Sequence, residues 1–246
     1  MIIAFVLFVL VVGVSLVLAF LSMKDFEEIP KSKSYYGVFL IRNIKNLTTE
    51  VLEEIRLKSA RASEIVSFER LFKGEKSALV IFAPKHLINY YPLLDTLELE
   101  DYTSAYKDSL TQAWEISISD ADEIIGSNPP LLENEQFWWQ ISLKGEGEGF
   151  GSKFLSFVFG QKKKEVFKAQ IRAVFLTSSG ERMKILTDWM KNLSKGHVLK
   201  LPSIYASTQI LEDVKLRNLR PYQGSLYLKP SEVLRLLFPL FGSRIV

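Results

Sequence analysis

Residues 1–23 carry no charged side chain and crowd Ile2, Ile3, Phe5, Val6, Leu7, Phe8, Val9 and Leu10 into their first half. Wound as a helix, such a run reaches roughly 34 Å, more than the hydrocarbon core of about 30 Å. It therefore predicts an uncleaved transmembrane helix. A secretory signal would instead want a basic start, an apolar core of roughly 7–15 residues and a small-residue cleavage site. Only Met1 precedes the apolar run here, and Ala19, Phe20, Leu21 and Ser22 do not make such a site. Lys24, Lys31 and Lys33 follow the run, while nothing basic but the terminal amine precedes it, so the C-terminal body is expected on the cytoplasmic side. The expectation is a single-pass protein of the cell membrane, with the lipid bilayer as one partner.

About 220 residues follow, enough for one large domain or two small ones with real cores. Cysteine is absent, which excludes disulfides, thiolate catalysis and cysteine-ligated metal. The net charge of +3 conceals three unequal blocks: residues 24–93 hold 12 basic and 9 acidic side chains, 94–150 hold 2 and 13, and 151–246 hold 17 and 6. Either the acidic and basic blocks satisfy each other within the fold or between copies, or the basic block faces phosphates of lipid or nucleic acid.

Periodicity orders the elements. After a linker at 24–34 containing Pro30, residues 35–42 read as a strand, Thr48 caps a helix to about Ala62, 65–72 and 78–83 are strands around the Lys73-Gly74-Glu75-Lys76 turn, Pro84 opens a helix at 85–94, and Leu97, Leu99 and Tyr102 alternate as a strand. That β-α-β-β-α-β order is a split βαβ, or ferredoxin-like, unit. A second pass follows, with strands at 114–119, 137–143, 166–176 and 225–228 and helices at 179–194, 203–215 and 231–240, the first of these opened by a Ser178/Glu181 capping box. The expected fold is α+β: an N-terminal transmembrane helix, then two ferredoxin-like halves at 35–110 and 111–246, with a loop inserted at 145–164.

Catalytic signatures are missing. No phosphate loop occurs, since Gly145, Gly147, Gly149 and Gly151 alternate with Glu146 and Glu148, which repel anions, and Gly-Ser-Lys is in the wrong order. His86 and His197 have no carboxylate or second histidine close by in sequence, and no nucleophile elbow is present. Glu98 and Glu100 share one strand face, as an acid and base would, though a solvated face explains them as well. Trp138 and Trp139 point to opposite sides of a strand. No cofactor or metal is expected. The informative stretch is the insertion, where Phe150, Phe154, Leu155, Phe157 and Phe159 precede Lys162, Lys163 and Lys164. Aromatics beside a lysine run fit a membrane interface with anionic headgroups, a partner-docking or oligomer surface, or a hairpin or helix packed on its own domain.

From Glu64 to Lys85, then Tyr91-Pro92 and Leu99-Glu100-Asp101-Tyr102, the chain resembles the region ahead of the motor in membrane-linked conjugation and type IV secretion ATPases of the FtsK and HerA superfamily. Lys168-Ala169-Gln170-Ile171-Arg172 and Leu228-Lys229-Pro230-Ser231-Glu232-Val233-Leu234 are similar to what precedes the nucleotide-binding core there. No Walker motif follows in this chain. The resemblance implies a membrane-side accessory part without its engine, docking a separately encoded ATPase motor or secretion component, with homo-oligomerisation and nucleic-acid transfer as family traits. The functional expectation is a membrane-anchored, non-catalytic scaffold or adaptor. The alternative is a membrane-tethered nucleic-acid-binding module using the basic block after residue 151.

Overall fold

Runs of β-branched and aromatic residues bounded by turn formers become eight strands in the computed structural model, which describes residues 11–15, 35–104, 110–116, 118, 128–146, 165–193, 204–220 and 226–238. The strands are β1 (Tyr36–Ile41), β2 (Ile65–Lys73), β3 (Lys76–Pro84), β4 (Thr96–Leu99), β5 (Leu110–Ile116), β6 (Gln136–Gly145), β7 (Phe167–Thr177) and β8 (Leu226–Leu228). The helices are α1 (Thr49–Ala62), α2 (Lys85–Ile88), α3 (Gly180–Leu193), α4 (Ile204–Leu216) and α5 (Pro230–Leu237). All strands join one antiparallel sheet in the order β4-β1-β3-β2-β6-β7-β5, with β8 also on β7. In the first four strands the βαβ pairs interleave: β3 separates β1 from β2, and β1 separates β3 from β4. The seam between the first and second parts is β2 against β6, nine residue pairs from Ile65↔Lys144 to Lys73↔Gln136.

The period-2 pattern divides the sheet into two faces. On one, Phe68, Ile81, Trp139, Ile141, Ala173 and Phe175 meet Leu52 and Ile55 of α1, Leu186 and Met190 of α3, and Val233, Leu236 and Leu237 of α5 in a single large core. Each fully buried side chain of this size contributes about 1.5–3 kcal/mol. Phe137 and Phe175 stack at 4.6 Å with the Trp189 ring edge-on to both. The other face carries a small apolar cluster, with Ala113, Trp138, Val174 and Leu176 beneath Ile210 and Val214 of α4. Trp138 and Trp139 thus serve two separate cores.

Gly145 ends β6, where the backbone of α1 lies close against the sheet. A Cβ there would overlap the Arg56 carbonyl oxygen and lie 2.7 Å from Ser59 Oγ. The close approach lets Gly145 N–H donate to Ser59 Oγ at 3.0 Å and Arg56 Nη1 donate to the Glu146 carbonyl at 2.9 Å.

Local expectations meet specific exceptions. Thr48 caps α1, its Oγ1 accepting from Val51 N–H at 3.4 Å. The cap of α3 is Ser179 rather than Ser178, with Arg182 N–H donating to its Oγ at 3.5 Å. The helix expected at 85–94 stops at Ile88 and resumes as a 3-10 turn at Pro92–Leu94, because Pro92 lacks an N–H and drives Tyr91 out of helical geometry, to φ −122° and ψ 58°. Leu87, Ile88, Tyr91 and Leu94 are still all buried.

The expectation of a transmembrane helix followed by two ferredoxin-like halves is corrected. Among the described residues no helix is long and apolar enough to cross a membrane. The longest, α1 and α3, have 14 residues each, about 21 Å of rise against about 30 Å of hydrocarbon. Of the run 1–23, only 11–15 are described, helical and exposed, and the remainder lies outside the described residues. A single-pass, membrane-anchored location is therefore not supported. In the second half, a repeat of the first would set β8 beside β5. Instead β5 pairs only with residues 171–177 of the 11-residue β7, and β8 fills the same edge beyond it at 167–169. No helix links β5 to β6 among the described residues.

Candidate functional site

Three neighbouring central strands place polar residues in pairs on the face beneath α4. These are Ser67 and Glu69 of β2, Gln140 and Ser142 of β6, and Gln170 and Arg172 of β7. The register aligns them into two rows, Glu69↔Gln140↔Arg172↔Glu115 and Ser67↔Ser142↔Gln170. All are buried. Burial of so many polar groups is tolerable only if each finds partners.

The partners come from the end of α4. Arg172 Nη1 donates to Gln140 Oε1 at 3.2 Å and to the Asn218 carbonyl at 2.9 Å, and its Nη2 donates to Asn218 Oδ1 at 3.1 Å and to Gln170 Oε1. Gln170 Nε2 donates to Glu115 Oε2 at 2.7 Å and to the Arg220 carbonyl at 2.6 Å. Gln140 Nε2 donates to Glu69 Oε1 and to the Val214 carbonyl, both at 3.0 Å.

Arg217 closes the network. It follows α4 with φ +52°, and the bonds from Arg217 N–H to the Val214 carbonyl and from Asn218 N–H to the Asp213 carbonyl form a left-handed helix stop in which glycine is the usual residue. Here the position carries an arginine, and the turn aims its side chain back onto the polar face. Its Nε donates to Glu69 Oε1 at 2.9 Å, and Nη1 and Nη2 grip Asp101 at 2.8 and 3.1 Å. The guanidinium lies over the Phe82 ring at 4.5 Å. Burial disfavours its charge, but the Glu69 and Asp101 carboxylates outweigh that and hold it protonated more firmly than usual. Burial would likewise raise the Asp101 carboxyl, and the Arg217 hydrogen bonds and charge bring it below the ordinary range. The Tyr102 hydroxyl, which donates to Glu69 Oε2, is pushed far up by burial and by that carboxylate.

The acidic and basic blocks therefore meet inside the molecule, through Arg217 with Asp101 and through Arg182 with Glu135 at 2.7 Å. The signal for this site was present in the sequence, as a polar pair at i and i+2 in each of three strands whose alternate positions are apolar. Arg217 gave no signal of its own beyond one positive charge in the basic block.

The other sequence candidates fare differently. His86 does acquire a carboxylate: its Nε2 lies 3.7 Å from buried Glu64 and 3.4 Å from Tyr35 Oη, which donates to Glu64 Oε1 at 2.9 Å. The hydrogen bond to Glu64 raises the Tyr35 hydroxyl. Glu98 and Glu100 do not converge on His86, since Glu98 pairs with Lys85 at 2.6 Å on the surface and Glu100 is exposed beyond β4. Phe150, Phe154, Leu155, Phe157, Phe159, Lys162, Lys163, Lys164 and His197 lie outside the described residues. Among the described residues no group of three or more His, Asp or Glu could hold a metal ion.

The polar face can thus brace a segment but offers little to a reaction. Glu69 is fully buried and committed to Arg217, Gln140 and Tyr102, and the Ser67 and Ser142 hydroxyls face each other at 3.4 Å. No family model, curated protein or solved structure matches the chain. Nothing in the fold or in these comparisons supports a part in conjugation or type IV secretion.

Proposed function

We propose that this α+β body is a non-catalytic recognition module, a scaffold or adaptor that engages a protein partner along the β4 side of the sheet. The carrying observation is the contrast between a polar face whose side chains bond chiefly to one another and a terminal strand that no described residue covers on its outer side. Among the described residues β4 ends the strand order, pairs with β1 alone, and exposes Leu97 and Leu99, with Leu93 and Tyr90 also exposed in the turns leading into it. An open edge flanked by apolar side chains suits addition of an extended strand from another protein. The nucleic-acid alternative loses ground because the basic block spends Arg172, Arg182 and Arg217 internally, so its charge count overstates its positive surface.

The test is site-specific photocrosslinking in cells expressing the full chain, with the crosslinker at Leu97 or Leu99 and, for comparison, at Ile185, which is exposed on α3. A discrete adduct from the β4 positions, absent at 185 and abolished by Glu98→Pro, is expected. Equal labelling from all three positions, or a β4 adduct that survives Glu98→Pro, would overturn the reading.

A further inference from the structure

Two lysines face each other at the end of the β2–β3 hairpin without an ion pair to any described residue. Lys73 and Lys76 are directly opposite in register and share the face that carries Leu71 and Trp138. Such positions bring Cβ atoms within about 4.5–5.5 Å, where like charges destabilise the pair. Gly74, with φ +54°, makes the two-residue turn that fixes them there. Neither ammonium forms an ion pair or hydrogen bond with any described residue.

Both line a cavity of about 240 Å³, whose other walls include Leu71, Ala78, Tyr102, Gln136 and Trp138. This one is open to solvent, so its volume, above the roughly 150 Å³ that encloses benzene in a sealed apolar cavity, seats a ring or fused ring pair by one face. Its walls are mainly apolar, with the Tyr102 and Trp138 rings meeting edge-on at 5.0 Å. Gln136 gives its Oε1 to the Trp138 indole N–H at 3.2 Å, which leaves its amide nitrogen as a further donor. The lining therefore combines a flat greasy surface, two ammonium groups with no ion-pair partner among the described residues, and one neutral donor.

We propose that this cavity binds a small aromatic anion, with the ring system against Trp138 and Leu71 and an acid group, a carboxylate or its equivalent, between Lys73 and Lys76. Glu75 of the same turn forms no ion pair with either lysine among the described residues, so the ligand's acid group supplies the counter-charge at this face. The site lies on the face opposite the main core and is independent of the β4 edge, so a ligand and a protein partner could be held together.

Binding of naphthoate to the full chain, followed by titration calorimetry and tryptophan fluorescence, tests this against the uncharged isostere naphthamide. Saturable binding of the acid is expected, with the amide at least about tenfold weaker, since a hydrogen bond to a charged group contributes that much. The double variant Lys73→Glu, Lys76→Glu, altered only at exposed positions, should lose about tenfold or more for the acid while leaving the amide unchanged. Ala78→Leu, which fills the cavity, should weaken both; if it does not fold, the lysine variant decides alone. Equal affinity for acid and amide, an unchanged lysine variant, or no binding at about 1 mM acid by folded wild-type protein would overturn the proposal.

Discussion

Replacing Gly145 with alanine should damage the molecule far more than the change of one methyl group implies. The new Cβ would overlap the Arg56 carbonyl oxygen and stand 2.7 Å from Ser59 Oγ and 2.9 Å from the Ala60 nitrogen. Two of those three atoms belong to the α1 backbone, so no side chain can rotate away and the helix must lift from the sheet. Overpacking of this kind costs about 1–3 kcal/mol. Lifting α1 also lengthens the Gly145 N–H to Ser59 Oγ bond, a further loss of about 0.5–1.5 kcal/mol. The total, about 1.5–4.5 kcal/mol, corresponds at this chain length to a fall of roughly 3–18 °C in Tm. Urea and thermal denaturation of wild type and variant measure it. Gly180→Ala is the internal control, because a Cβ there meets nothing within 4 Å at the start of α3, and it should be neutral or stabilising by up to about 1 kcal/mol. If Gly145→Ala unfolded within about 0.5 kcal/mol of wild type, the close approach of α1 would not be a constraint.

Arg217→Ala strands the Glu69 carboxylate in the interior and should cost about 3–5 kcal/mol in urea unfolding; a double Glu69→Gln, Arg217→Met variant should recover part of that, and a loss below about 1 kcal/mol in the single variant would refute the clamp. Glu135 is held at a pKa of about 2, chiefly by its Arg182 hydrogen bonds, against an ordinary 4.5. The unfolded chain therefore takes up its proton first, so this stabilisation is complete above about pH 4.5 and is lost as the pH falls towards 2. Tm measured across that window should drop in wild type and drop less in Glu135→Gln; parallel curves would contradict the assignment.

Strand and helix positions were legible because their signals are local: apolar and aromatic runs for β2 and β6, a capping threonine for α1, a 3.6-residue stripe for α3. Topology in the second half was not, since nothing near residues 226–228 records that β5 stops short along β7 and leaves that edge free. The site was hidden for the same reason. Glu69 and Arg217 are 148 positions apart, and only the sheet register brings Gln140 and Arg172 between them. His86 looked isolated because its carboxylate, Glu64, arrives from the start of a different strand. Pro92 was a local signal that the expected 85–94 helix overran: the same rule that starts a helix after Pro84 forbids one from running through Pro92.

The nine-pair seam between β2 and β6 also shapes how the chain is made. Roughly 60 residues separate Lys73 from Gln136, so at ribosomal speeds of about 5–20 residues per second the outer hydrogen-bonding rim of β2 waits several seconds for its mate. In that interval the nascent first half is a sticky intermediate, and cutting the gene at the midpoint would make that transient condition permanent.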